Sequence, residues 1–177
     1  KLVGITTKNL TPVSKDIALL FALTKAYATT GKTKQALKIA GVLESQQPND
    51  SRLLFTLGLI FSEAREYKKG KQLFEKVNSQ IPNRFEILYN LGIAYYNLSE
   101  FDKAQTVFRS AVDLDSSNAD VFYRLGLVSS AQGKIENALG LWLKALELNP
   151  NLHEANFLIA EELSKRKAYV GAQDFYL

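Results

Sequence analysis

Phe85–Asn118 reads FEILYNLGIAYYNLSEFDKAQTVFRSAVDLDSSN, two helical patterns in succession. In the first, Leu88, Leu91, Gly92 and Tyr95 recur at three- and four-residue steps, which puts them on one helix face. Asn97-Leu98-Ser99-Glu100 breaks that pattern. In the second, Phe101, Ala104, Phe108 and Ala111 mark one face again. Gly92 and Ala104 are small and are expected on facing stripes, where they let two helices approach closely. The 34-residue unit recurs in register on both sides of this stretch.

Units start at Ile17, Ser51, Phe85, Ala119 and His153. The seventh place holds Leu23, Leu57, Leu91, Leu125 and Ile159. The eighth holds Thr24, Gly58, Gly92, Gly126 and Ala160. The second helix carries an early alanine (Ala36, Ala104, Ala138, Ala172), with Gly70 replacing it once. Four places later stand Phe74, Phe108, Trp142 and Tyr176, and Ala40 in the first unit. Units close on Pro48, Pro82 and Pro150, with Ser116 in the remaining one. Four spacings of 34 without an insertion identify a repeat architecture.

The run Leu-Gly, Tyr, Ala, Phe or Trp, Ala and a closing Pro resembles the tetratricopeptide repeat. The likeness covers Ile17–Leu177, as units 17–50, 51–84, 85–118, 119–152 and an incomplete 153–177. It implies an all-α fold, an α-α superhelix of about four and a half helix-turn-helix repeats. The physics agrees, because one helix pair exposes an apolar face that only the next pair can bury. Residues 17–177 are therefore expected to form one tetratricopeptide domain. Residues 1–16 lack helical periodicity and are expected to be a linker or extended segment; Thr11-Pro12 there would suit a helix start.

The chain has no cysteine, which excludes disulfide and thiolate chemistry. No apolar run approaches the roughly 18 residues of a membrane span. There is no methionine either, and a missing native start is the expectation. The net charge of +4 hides an asymmetry. Lys1–Arg84 holds 14 Lys or Arg against 6 Asp or Glu, whereas Phe85–Leu177 holds 8 against 12. The lysines of the basic half (Lys32, Lys34, Lys38, Lys68, Lys69, Lys71 and Lys76) fall mostly on second helices, the outer side in the family. Such residues usually form a solvated face, so nucleic acid is the disfavoured partner.

Within the units, Gly31 and Gly133 are expected to end first helices, and Asp50 or Ser51 to cap one. Ser129 replaces the usual aromatic and predicts a softer spot. Asn156 makes the start of the last unit partly polar, while Phe175-Tyr176-Leu177 would leave an apolar end, open to a further repeat or a second copy of the chain.

No catalytic constellation is legible. His153 is the one histidine, so no two-histidine metal site can be built, and a surface role is expected for it. Glu161-Glu162 reads as a solvated pair, and Gly58, Gly92 and Gly126 lie within helices rather than in a phosphate-binding loop. The sequence predicts no enzyme, no cofactor and no metal site.

In the family the first helices line a concave surface. By that likeness the fifth place (Phe21, Phe55, Tyr89, Tyr123, Phe157) and the ninth (Lys25, Leu59, Ile93, Leu127, Glu161) look into it, with Tyr96 at the twelfth. The candidate groove is Phe55, Leu59, Tyr89, Asn90, Ile93, Tyr96, Tyr123, Arg124 and Leu127. Aromatics beside an arginine suit a peptide-binding surface. Two subtypes are disfavoured. The chaperone-tail carboxylate clamp would need Lys and Asn where Phe55 and Leu59 stand and a Lys at Asp120, and an asparagine ladder is interrupted by Ala22, Thr56, Arg124 and Leu158. The expected function is a protein-interaction scaffold holding a partner peptide; the alternatives are polyanion binding by the basic second helices and self-assembly through the last repeat.

Overall fold

The structure is a computed structural model, and it describes residues 16–165. The Thr11-Pro12 helix start, Ala172, Tyr176 and the apolar Phe175-Tyr176-Leu177 end lie outside the described residues. Among the described residues every helix is α and none of the backbone is in strands. The elements are α1 (Ile17–Thr29), α2 (Thr33–Gln46), α3 (Ser51–Glu63), α4 (Tyr67–Gln80), α5 (Phe85–Asn97), α6 (Phe101–Leu114), α7 (Ala119–Ala131), α8 (Ile135–Leu148) and α9 (His153–Lys165). First helices begin at Ile17, Ser51, Phe85, Ala119 and His153, the residues at which the sequence repeat begins. The chain divides into two compact units between Pro82 and Asn83.

Unit 1 contains the pairs α1/α2 and α3/α4. Asp16 and Asp50 cap their first helices, each accepting from two backbone N–H groups through its carboxylate. These bonds satisfy donors that a helix N-terminus leaves orphaned. A three-residue turn folds the second helix of each pair back on the first. Its middle residue is left-handed, Gly31 (φ 73°) in the first pair and Arg65 (φ 62°) in the second. Leu20, Leu23, Ile39 and Leu43 fill the first pair, and Leu54, Leu57, Phe61 and Phe74 the second. Each such side chain contributes about 1.5–3 kcal/mol by leaving water. The pairs are tied by Thr33 Oγ1 donating to Glu66 Oε1 at 2.8 Å and by a Lys69–Glu44 ion pair at 2.6 Å.

Unit 2 contains α5/α6, α7/α8 and α9. Here the eighth-place glycines decide the packing. A Cβ on Gly92 would stand 2.6 Å from the Phe108 ring, and one on Gly126 would collide with the Trp142 indole. The small residue expected opposite Ala104 therefore makes room for the aromatic of the next turn. The Trp142 indole N–H also donates to the Tyr123 carbonyl at 3.3 Å. Ser129 is fully buried, and its Oγ accepts from Asn137 Nδ2 at 2.8 Å. The place expected to be soft is thus closed by a polar pair. Asn118 caps α7, and the turn before it is held by Asp115 accepting from the backbone and hydroxyl of Ser117.

Candidate functional site

All nine candidate groove residues are half-buried, and all lie on first helices. That exposure follows from the helical repeat: the seventh and eighth places turn into the core, so the fifth, ninth and twelfth stand beside it. Phe55 and Leu59 belong to unit 1, and the other seven to unit 2.

In unit 1, Phe55 packs on Phe74 with ring centroids 5.6 Å apart. Beside it α1 and α3 enclose a shallow depression of about 340 Å³, lined by Phe21, Ala22, Lys25, Thr56, Leu59, Ile60 and Glu63. Its rim carries the Lys25–Glu63 pair at 3.6 Å, both side chains well exposed.

Unit 2 is richer. Tyr89 stacks on Phe85 at 5.8 Å and sets its edge against Phe108 at 6.1 Å. Tyr96 leans on Phe101 at 5.8 Å. Arg124, on the neighbouring first helix, donates from Nε to the Tyr89 hydroxyl at 3.5 Å, and its guanidinium carbon lies 5.5 Å from the Tyr123 ring centroid. A cation over an aromatic face is attracted by the ring quadrupole. Arg124 is therefore held by two tyrosines, and no carboxylate among the described residues pairs with it. Asn90 donates from Nδ2 to the Glu86 carbonyl at 2.7 Å, which leaves its oxygen and its second N–H to offer a ligand. Burial pushes the Tyr123 phenol above its ordinary value of 10.0, and the neighbouring Arg124 pulls it back in part.

Next to Tyr123 an open depression of about 440 Å³ is lined by Tyr123, His153, Glu154, Phe157 and Leu158. Phe157 is 56% exposed there. The fifth-place pattern had singled out Phe157; His153, Glu154 and Leu158 join the surface because α9 lies beside α7. His153 is exposed, as expected of a surface histidine. Among the described residues no group of His, Asp and Glu side chains comes together as a metal site, and no helix is long and apolar enough to cross a membrane.

The arrangement can bind, through aromatic faces, one oriented guanidinium and apolar hollows. Residues 10–123 match the family profile of the N-terminal TPR repeats region of Psidin, and residues 89–172 match that of the tetratricopeptide repeat. No curated protein sequence matches the chain. Among solved structures, MamA from residue 41 to its end, from Desulfovibrio magneticus RS-1, superposes with a TM-score of 0.75 at 19% identity. It covers 90% of this chain and 90% of that one. Another MamA crystal structure gives 0.74 at 21%, covering 87% of this chain and 90% of that one. Pseudomonas aeruginosa PilF gives 0.70 at 25%, covering 90% of this chain and 72% of that one. The MamA likenesses establish the fold.

Proposed function

This chain belongs to the tetratricopeptide repeat family, and from that premise we propose that it is a protein-interaction scaffold whose first-helix face in unit 2 holds an extended or helical partner segment. Tyr89, Tyr123 and Leu127 supply the apolar anchors, Ile93 and Tyr96 extend them, and Asn90 and Arg124 orient polar groups. Phe55 and Leu59 are the corresponding contacts of unit 1. The chain works by binding rather than by catalysis.

The observation that carries this reading is Arg124, half-buried and held by Tyr89 and Tyr123, with no carboxylate paired to it among the described residues. A guanidinium fixed in place loses little entropy on taking a partner. Tyr and Arg are the residues that concentrate binding energy at interfaces. The competing polyanion reading loses support where Lys69, on a second helix, is paired with Glu44.

The test is a pull-down from the native lysate at low and high salt, comparing the wild-type chain with Tyr89→Ala/Tyr123→Ala. The expected result is a partner retained at high salt and lost from the variant, whose helicity is unchanged. Capture that survives the substitutions and vanishes with salt would overturn the groove in favour of the lysines of unit 1.

A further inference from the structure

The second place of each unit-2 repeat is acidic: Glu86, Asp120 and Glu154. All three are exposed, and none is ion-paired among the described residues. They stand three residues before Tyr89, Tyr123 and Phe157, so each carboxylate lies next to a groove aromatic on the same helix face. Glu154 and Tyr123 line one depression, which joins the row across two repeats. The first helices of unit 2 carry five carboxylates (Glu86, Asp120, Glu154, Glu161, Glu162) against Arg124 and Lys165. Lys165 is already engaged by Glu161 at 3.1 Å and Glu162 at 2.8 Å. Acids in a first turn suit the helix dipole, yet the same place in unit 1 holds Ala18 and Arg52, so the dipole does not impose the row.

We infer that the partner of this face is a net-basic apolar segment: aromatic or aliphatic side chains seated on Tyr89, Tyr123 and Leu127, with lysines or arginines meeting the carboxylate row. The inference rests on the groove reading and names the partner's chemistry. An acidic segment would meet one cation and a row of like charges, which works against its docking.

The probes are three fluorescent pools of synthetic 12-residue peptides, read by anisotropy against the full chain. Two share the same Phe, Leu and Ile content and differ in carrying Lys or Glu at the remaining variable positions; the third carries the Lys without apolar residues. The Lys–apolar pool should bind best. Tyr89→Ala/Tyr123→Ala should abolish that binding. Glu86→Gln/Asp120→Asn/Glu154→Gln, with thermal stability checked, should weaken it roughly tenfold at low salt and less at high salt. Binding of the Glu pool as tight as the Lys–apolar pool, still lost in the tyrosine variant, would overturn the inference and leave the groove standing. Equal binding of the Lys pool without apolar residues would also overturn it. Binding of no pool, or binding indifferent to the tyrosines, would overturn both.

Discussion

The first repeat of unit 1 and the two full repeats of unit 2 solve one packing problem in opposite ways. In unit 2 the eighth and twenty-fourth places hold Gly92 with Phe108 and Gly126 with Trp142, and the aromatic ring occupies the space that a glycine leaves. In the first repeat of unit 1 the same places hold Thr24 and Ala40, both fully buried, with the Thr24 hydroxyl donating to the Leu20 carbonyl at 2.8 Å, whereas its second repeat keeps Gly58 with Phe74. In that first repeat the larger residue has changed helices. Surface charge differs as well, with a basic unit 1 and an acidic row on the first helices of unit 2. One repeat pattern thus sustains two interiors and two surfaces, because the period constrains which places are buried and not how their volume is divided.

The largest expected effect breaks the packing half of that contrast. Trp142→Ala removes a fully buried ring and should cost about 3–5 kcal/mol in denaturant unfolding. Gly126→Thr alone should cost about 1–3 kcal/mol by overpacking against the indole. The double variant copies the Thr24/Ala40 solution and should cost clearly less than the sum, with a coupling of about 1 kcal/mol or more. Simple additivity would show that the two places do not share a volume.

Ion pairs come next. Lys69 and Glu44 are only 22% and 20% exposed, against 48% and 65% for Lys144 and Glu147 in unit 2. Lys69→Met strands a largely buried carboxylate and should cost about 1–2 kcal/mol, below the range for full burial. Lys144→Met should stay within about 0.5 kcal/mol. Equal losses would remove the distinction.

The hairpin turns predict a smaller effect of the other sign. The left-handed place holds glycine at Gly31 and Gly133, and Arg65 (φ 62°) and Ser99 (φ 59°) in the repeats between. Arg65→Gly and Ser99→Gly should each raise stability by about 0.5–1 kcal/mol, while Gly133→Ala should cost about 1 kcal/mol. Thermal midpoints check the order.

The smallest effect concerns the turn before α7. The hydroxyl and backbone N–H of Ser117 lower the Asp115 pKa from its ordinary 3.8. Because the folded value is depressed, the contribution is present above the unfolded pKa and is lost as pH falls through the folded one. Ser117→Ala should raise the Asp115 midpoint in an NMR titration.

The repeat made the helices readable almost to the residue, since the 34-residue period fixes where the apolar stripe of each helix restarts. It also put the fifth-place aromatics on the groove side of the first helices, where Phe55, Tyr89 and Tyr123 are half-buried and Phe157 is exposed. What lay outside the pattern was what depends on pairs. Lys69 looked like one more surface lysine, because Glu44 lies 25 residues earlier on another helix. Ser129 looked like a gap, because Asn137 reaches it across a turn. The row Glu86, Asp120 and Glu154 was legible in the alignment of the units, but its place beside Tyr123 shows only in the folded α7/α9 surface.

If partners dock on the first-helix face of unit 2, as we propose, a crosslinker placed on that face should capture them. Photo-crosslinking tests this proposal most directly, with a benzophenone amino acid at Leu127, half-buried on α7, or at Leu143, 43% exposed on α8. Adducts with one partner protein from position 127, absent from 143 and lost with Tyr89→Ala/Tyr123→Ala, are the predicted result. Adducts from position 143 and none from 127 would contradict it.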